Sequence, residues 1–387
     1  MTFRPDKLGV AIALLAVYGA LSPFATMRAN RIVRGESLGM LSALPTWAGW
    51  LLAFTVLGAA SVALSRSPAV ARFLAAALAL AMLIVCVGLS GTFLAPADNA
   101  YARISPASGF WLLLFTFSLL ATDSITRMRP SPVLRLVYLA TAVGLVYLTL
   151  VSGIWDGLSV MKEYSARADV FWTEASRHLA LALGSLFAAM LAGLPLGVLC
   201  ERVPALRAGV LNTLNLIQTI PSIALFGILI GPLGWVAVNV PGASAIGIRG
   251  IGMAPAFVAL FLYSLLPVVA NTVAGLNGVP GATREAARGI GMTSAQRLFR
   301  VELPLALPVI LTGIRIVLVQ NIGLATIAAL IGGGGFGTFV FQGLGQTATD
   351  LVLLGALPTV ALAFVSAVIL DALIEMNRTV AVNKRAA

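Results

Sequence analysis

Charged side chains are scarce in this sequence, at 10% of its 387 residues, whereas 59% of the residues are hydrophobic. Soluble domains carry about 25% charged residues. No soluble core could bury this much apolar surface. The composition therefore excludes an ordinary soluble protein and indicates that lipid surrounds most of the chain.

Several chemistries are excluded by what the chain lacks. None of its three lysines (Lys7, Lys162 and Lys384) follows a glycine-rich loop, so there is no P-loop and we expect no ATP hydrolysis by this chain. A single histidine excludes a two-histidine zinc helix, and no GxSxG motif is present. Cys86 and Cys200 lie in different apolar runs, which favours small buried residues over a disulfide or metal pair. We expect no catalytic residue, metal or cofactor on this chain.

Long apolar runs make up most of the sequence. A helix that spans a bilayer needs about 20 mostly apolar residues, and this length gives about ten candidate transmembrane helices. The sequence thus predicts an all-α, polytopic membrane protein. The runs lie near residues 8–27, 47–65, 73–94, 110–126, 134–155, 179–200, 210–232, 255–276, 305–331 and 351–375.

The net charge of +11 comes from basic residues scattered over short loops, so nucleic acid is not an expected partner. With both termini in the cytosol, 16 of the 25 Lys and Arg residues fall on the inner side and 8 on the outer side. Arg315 lies within a span. This distribution predicts an N-in, C-in topology. The inner group includes Arg4, Arg378, Lys384 and Arg385.

The chain divides near residue 170. Residues 1–170 are predicted to form an N-terminal membrane extension of about five helices, closed by a polar outer stretch at 156–177. Residues 171–387 form the second domain, whose spans also contain Gly, Pro, Asn, Gln and Thr. Polar groups inside spans indicate a pathway.

The most distinctive loop, residues 278–304, lies in this second domain. A short helix over Thr283–Arg288 is expected to break at Gly289 and Gly291. Thr293 and Gln296 have the spacing of a capping box that starts a second helix. Pro304 is expected to end that helix, because residues before proline avoid helical geometry.

Within this loop, Glu-Ala-Ala is followed at fixed spacing by a glycine and by Val-Glu-Leu-Pro, which resembles the EAA motif of permease subunits in binding-protein-dependent ABC importers. The family has isoleucine where this chain has Val301. In that family the loop docks into a cleft of the cytosolic ATPase. The resemblance implies this coupling role for Glu285, Ala286, Ala287, Gly291, Leu303 and Pro304.

Two further segments, 218–227 and 325–337, resemble permeases for glycine betaine, carnitine and choline. The resemblance covers roughly 175–375 and implies a five-helix ABC importer core. The N-terminal half looks like an extension found in a subset of osmoprotectant permeases. The implied function is an osmoprotectant import permease of the bacterial inner membrane.

The resemblance also implies partners. They are a cytosolic ATP-binding subunit that carries ATP and Mg²⁺, an extracytoplasmic substrate-binding protein, a second permease chain that is identical or homologous, and membrane lipid.

Polar residues at spacings of three and four share one face of the predicted seventh span. That face could line the translocation path or a subunit seam, or it could simply bond to another helix. Pro221 breaks the backbone ladder, which favours the pathway. The candidates are Asn212, Asn215, Gln218, Thr219, Pro221 and Ser222.

Arg315 in the ninth span should either face protein or water, or snorkel to the interface. Gln320, Asn321 and Thr326 continue a polar trail and are weaker pathway candidates. The Gly332–Gly335 run lacks the Lys-Ser/Thr of a phosphate loop, so we expect a flexible turn. His178 is expected to form hydrogen bonds at the interface.

Two other functions remain as alternatives. The same kind of importer could carry an amino acid or another small polar solute. An ion-coupled secondary transporter would need paired acidic residues within its spans, and Asp123 and Asp371 lie near span ends instead. A membrane-embedded enzyme would need a polar catalytic cluster, which the sequence does not show.

Overall fold

The computed structural model describes residues 6–31, 33–96, 98–99 and 101–386, without the side chains of residues 378–386. Arg4 and the side chains of Arg378, Lys384 and Arg385 lie outside this description. The chain forms two units, Met1–Ala166 and Arg167–Ala387.

The first unit is a set of helices joined at one end by a small sheet. Its elements are α1 (Lys7–Leu21), β1 (Ala25–Arg28), β2 (Glu36–Leu38), α2 (Thr46–Leu64), α3 (Ala69–Phe93), β3 (Arg103–Pro106), α4 (Ser108–Met128), α5 (Pro132–Val151) and α6 (Ser159–Ala166). The sheet is antiparallel in the order β2-β1-β3, and Ala25 of β1 pairs with Leu38 and with Pro106.

The second unit is helical in all its described elements. They are α7 (Ala168–Arg202), α8 (Pro204–Thr219), α9 (Ser222–Asn239), α10 (Met253–Asn277), α11 (Gly281–Gly289), α12 (Ser294–Arg297), a π-helical turn (Leu298–Glu302), α13 (Leu303–Ile327), a 3₁₀ turn (Ala328–Ile331), α14 (Gly337–Gly345) and α15 (Thr349–Ala386).

The predicted all-α, polytopic membrane fold is confirmed. Among the described residues, nine helices are long and apolar enough to cross a membrane, and five of these belong to the second unit. The helix α1, with 15 residues, is shorter than the predicted span at 8–27. It ends at Leu21 because Ser22 is extended and Pro23 follows.

The predicted seventh span at 210–232 is wrong in its boundaries. The chain breaks there into α8 and α9, and Ile220 between them is extended. Proline at 221 explains the break, because it disfavours helical geometry in the residue before it and has no N–H to donate. The spanning helix is Ser222–Asn239.

The expectation that Pro304 ends a helix is also wrong. Pro304 lies at the start of α13, and the π-helical turn joins α12 to α13 without an extended break. Proline is tolerated in the first turn of a helix, where its missing N–H has no partner in any case. The coupling loop therefore runs directly into a spanning helix.

A buried ion group ties helices of the first unit together. Arg72 is 1% exposed and lies 3.3 Å from Asp6 and 3.5 Å from Asp123. Asp6 also caps α1 by accepting the Gly9 N–H at 3.0 Å. This bond, followed by the charge of Arg72, holds the pKa of Asp6 below its usual value. Cys86 and Cys200 are both buried and free, as predicted.

Close backbone contact sets the packing of α1 on α2. A Cβ on Gly9 would lie only 1.9 Å from the Ala63 carbonyl oxygen, whereas Gly58, on α2, has nothing within 4 Å. A methyl group would therefore clash with the backbone of α2 at Gly9, whereas it would meet no atom at Gly58.

We predict that Gly9→Ala destabilises the protein by about 1–3 kcal/mol, because the added methyl forces the helices apart. Thermal unfolding in detergent should show a lower midpoint. Gly58→Ala is the matched control and should keep or raise the midpoint. Equal midpoints for the two variants would contradict this packing.

Candidate coupling and translocation sites

The coupling loop is a helix, a glycine turn and a second helix, as predicted. α11 ends at Gly289, and Gly291 takes a φ of 79°. The capping box is confirmed: the Thr293 hydroxyl accepts the Gln296 N–H at 3.2 Å, and the Gln296 side chain accepts the Thr293 N–H at 2.9 Å. Local hydrogen bonds therefore define where the second helix starts.

Most of the residues predicted to couple the ATPase lie on the surface of this loop. Glu285, Ala286, Gly291 and Pro304 are exposed, while Leu303 is half-buried and Ala287 is 4% exposed. The predicted residues thus divide into a surface group and an anchoring group.

Two large apolar side chains extend this surface. Ile290 is 73% and Phe299 is 68% exposed. Sequence reasoning assigned no role to Ile290, although an apolar residue between two glycines in a polar loop is a usable signal. A small, partly apolar surface with one carboxylate has the features of a protein docking site.

An ion network fixes the loop to the spanning helices. Glu302, 2% exposed, accepts Arg297 Nε at 2.8 Å and Arg202 Nη2 at 2.9 Å. Arg284 of α11 donates to Glu201 of α7 at 3.0 Å. These contacts connect α7, α11, α12 and the turn that leads into α13.

Sequence reasoning missed this network. In the sequence Glu302 stands out only as part of the Val-Glu-Leu-Pro motif, and Arg202 and Arg284 are two of the scattered basic residues. The usable signal was their common location at the predicted cytosolic ends of spans. The network thus ties the loop to two spanning helices.

The polar face on α8 is open within this chain. Asn212, Asn215 and Thr219 are exposed. Pro221 is also exposed, and Ser222 is half-buried. An exposed face is consistent with a translocation path and with a seam to a second chain. Both interpretations therefore stay predictions.

Gln218 is bonded inside the unit instead. Its amide donates to the Tyr263 carbonyl at 2.7 Å, and the Tyr263 hydroxyl donates back to the Ile220 carbonyl. The carbonyl beside the proline break is therefore satisfied by α10. This exchange fixes the junction of α8 and α9 against α10.

Arg315, near the middle of α13, forms an ion pair with Asp371 of α15. The two side chains are 40% and 45% exposed. Of the two predicted environments, contact with protein is the one observed. Gln320 and Thr326, further along α13, are half-buried.

Asn321 lies in a wholly buried polar cluster between three helices. Its amide nitrogen donates to Ser185 of α7 and Ser264 of α10, each at 2.9 Å, and all three residues are 0% exposed. Both hydroxyls also bond to carbonyls of their own helices. The side chain of Asn321 thus fastens α13 to its neighbours and is shielded from any solute.

The glycine run after α13 is held in place by α7. Glu174, 6% exposed, accepts the Gly335 N–H at 2.5 Å and the Thr338 hydroxyl at 3.3 Å. His178 is fully buried against Phe336, with ring centroids 4.9 Å apart. Tertiary contacts bury Gly333, Gly334 and Gly335, so the turn is packed against α7 rather than free, while the interfacial location of His178 stays a prediction.

Among the described residues, no group of three or more His, Cys, Asp or Glu side chains could hold a metal ion.

Two family models match the chain. Residues 193–377 match the binding-protein-dependent transport system inner membrane component, and residues 6–161 match the N-terminal domain of the ABC transporter permease YehY. Individual relatives match as well. The chain is 47% identical over 189 residues to the osmoprotectant import permease protein OsmW of Salmonella typhimurium, which covers 49% of this chain and 83% of that protein.

Two further relatives match this chain over segments of similar length. Identity to the osmoprotectant import permease protein OsmY of Salmonella typhimurium is 41% over 224 residues, or 57% of this chain and 86% of that protein. Identity to the choline transport system permease protein OpuBB of Bacillus subtilis is 39% over 188 residues, or 49% of this chain and 79% of that protein.

The helical fold, the coupling loop and these matches define a multi-pass membrane permease of the ABC importer class. The chain belongs to the family of binding-protein-dependent transport system inner membrane components. The resemblance inferred from the EAA loop is thereby confirmed.

We predict that Glu302→Gln destabilises the protein by about 3–5 kcal/mol, because it leaves the buried Arg297 without its counter-charge and leaves Arg202 and Arg284 with Glu201 alone. Thermal unfolding in detergent measures the change. Glu285→Gln, on the exposed face of the same loop, is the control and should lie within about 0.5 kcal/mol of the unmodified chain. If both variants unfold alike, the network does not anchor the loop.

We predict that Asn321→Leu costs about 1–2 kcal/mol, the range of interhelical hydrogen bonds in membranes. The cost stays small because Ser185 and Ser264 keep their own backbone partners. Chemical unfolding in mixed micelles provides the measurement, with half-buried Gln320→Leu as the matched control. A larger cost for Gln320→Leu would argue against the cluster.

Proposed function

We propose that this chain is the permease subunit of an ATP-driven importer for osmoprotectants such as glycine betaine or choline. The observation that carries the proposal is the exposed coupling surface mounted on a buried ion network. The exposed surface offers a separate ATPase a docking site, and the ion network connects that site to the spanning helices. The cargo class is supported by the printed names of three relatives.

ATP hydrolysis is assigned to a partner, since this chain has no P-loop. We expect a cytosolic ATP-binding subunit to carry ATP and Mg²⁺ and to receive α11 in a groove. A soluble substrate-binding protein delivers the solute on the other side. A second permease chain, identical or homologous, completes the path against the open polar face of α8.

The proposed topology is N-in and C-in, in the bacterial inner membrane. α7 is long enough to cross a bilayer, and its C-terminal end carries Arg202 of the coupling network. The network end is therefore cytosolic if the loop meets an ATPase. Alternation of the nine spans, together with α1 as a tenth, then brings both termini to the cytosolic side.

The proposed mechanism is alternating access. ATP binding and hydrolysis in the partner displace the loop, and the bonds of Glu302 and Arg284 pass this displacement to α7 and α13. An amino acid or another small polar solute remains the alternative cargo. Uptake assays separate the two, because the mechanism is shared and only the transported compound differs.

The test is uptake of labelled glycine betaine by cells that lack other osmolyte importers and express the complete system. We predict that Ala286→Trp abolishes uptake by blocking the docking surface, while the protein remains in the membrane. The control is Ala245→Trp, which changes an equally exposed alanine in the connection between α9 and α10.

Each outcome has one meaning. No uptake by the unmodified system would contradict the betaine assignment but not the importer class. Full uptake by Ala286→Trp would contradict the coupling role of the loop. Gly291→Trp, at a φ of 79°, offers a second disruption of the same loop.

A further inference from the structure

The second firmly built contact of this unit lies at the other end of α7, around Glu174. Its carboxylate is almost fully buried and accepts the Gly335 N–H, the Thr338 hydroxyl and Arg177 Nη1 at 2.5, 3.3 and 2.7 Å. A single side chain thus bonds to both the glycine run and the first turn of α14.

Aromatic contacts add to these bonds. The Phe171 ring lies 5.4 Å from that of Phe336 and 6.1 Å from that of Phe339, and His178 packs on Phe336. Phe171, Glu174 and His178 are spaced by three and four residues, so they share one face of α7. We call the contact of this face with residues 332–345 the α7 clamp.

The glycine run is shaped for a close approach. A Cβ at Gly334 would lie 2.7 Å from a carboxylate oxygen of Glu174, and a Cβ at Gly335 would lie 3.1 Å from His178 Nδ1. Both glycines have φ values, 75° and 86°, that other residues rarely adopt. Side chains here would push the run away from α7.

The clamp carries features that a permanent brace would not need. His178 is 0% exposed, yet among the described residues neither ring nitrogen has a hydrogen bond of normal geometry, and the ring has only a poor contact with the Ile322 backbone. Buried polar groups without partners weaken the state that buries them. The strong bonds of Glu174 that close the contact thus lie beside a poorly satisfied buried ring, which lowers the free-energy cost of opening it.

The position of the clamp within the unit indicates what its opening would do. Glu174 and Arg202 are separated by about 42 Å along α7, at 1.5 Å per residue, more than the thickness of the hydrocarbon core. The clamp and the coupling network therefore lie on opposite faces of the membrane. Residues 332–345 also pack on α15, where a Cβ at Gly355 would meet the Phe336 carbonyl at 2.4 Å.

We propose that the α7 clamp is the extracytoplasmic gate of the path, and that it separates and re-forms in every transport cycle, with Glu174 and His178 as its positioning residues. The inference rests on the proposed importer function. It adds the location at which the extracytoplasmic end of the translocation path opens. When the coupling network shifts α7 at one end, the clamp at the other end releases the glycine run and α14.

A reversible disulfide tests the gate. A Cβ on Gly335 would lie 3.4 Å from the His178 Cβ, close to the spacing of disulfides, about 3.8 Å. The variant is His178→Cys with Gly335→Cys, in a chain whose Cys86 and Cys200 are replaced by alanine. Oxidation should reduce glycine betaine uptake at least tenfold, and dithiothreitol should restore it.

Matched controls separate a locked gate from a damaged protein. His178→Ser with Gly335→Ser cannot form the bond and should show no redox response. The oxidised cysteine pair should unfold at a temperature no lower than the reduced pair. Full uptake with the disulfide formed would overturn the proposal, because a gate locked shut cannot pass a solute.

A second measurement applies if the reduced pair is inactive. Thr338→Cys, in the same cysteine-free background, should react with a membrane-impermeant maleimide several-fold faster while the complete importer hydrolyses ATP than without ATP. Equal rates would overturn the gate. If the unmodified system does not import glycine betaine but the Thr338→Cys variant shows ATP-dependent labelling, only the cargo assignment is contradicted.

Discussion

The ion pairs of the buried Glu302 carboxylate are the interaction on which the fold of the loop 278–304 depends. A charge that is 2% exposed is tolerated only when it is paired and hydrogen-bonded. Arg202 and Arg297 supply that pairing, and Arg284 approaches the same carboxylate at 3.8 Å. These arginines come from three helical segments, so the carboxylate requires the segments to meet. The shape of the loop follows from this requirement.

Features governed by neighbouring residues could be predicted from the sequence. Long apolar runs gave the spanning helices, since a bilayer imposes a minimum length on any segment that crosses it. The capping box at Thr293 and Gln296 was predictable because both of its hydrogen bonds join residues three apart. The EAA motif also lies within one short segment, so its spacing could be recognised in the sequence without knowledge of the fold.

Features governed by distant residues could not be predicted in this way. Arg202 and Glu302 are 100 residues apart in the chain, and Glu174 and Gly335 are 161 apart. No local pattern indicates which charges will meet. The prediction for Pro304 failed for a different reason. Proline can end a helix, but it is equally common in the first turn of one, and Pro304 lies in the first turn of α13.

Three asparagines in the helices of the second unit illustrate a further distinction that the sequence does not show. Asn212, Asn215 and Asn321 have the same side chain in similar apolar surroundings. Packing exposes the first two on α8 and buries the third between Ser185 and Ser264. An amide between two hydroxyls fastens helices, whereas an amide on an open face is available to solute, water or another chain. The role of a polar residue in an apolar helix can therefore be inferred only when its hydrogen-bond partners are known.

The helix α7 is suited to join the two ends of this unit because it does not bend freely. Pro195 lies within it, and proline removes a backbone hydrogen bond. Close contact with α10 compensates, since a Cβ at Gly193 or Gly197 would approach Val268 or Thr272 to within 2.8 Å. At these two positions α7 and α10 are therefore packed without room for a larger side chain. The proposed mechanism requires a displacement at Arg202 to reach Glu174, where α7 meets the glycine run, and close packing on α10 is the feature of α7 that suits it to this role.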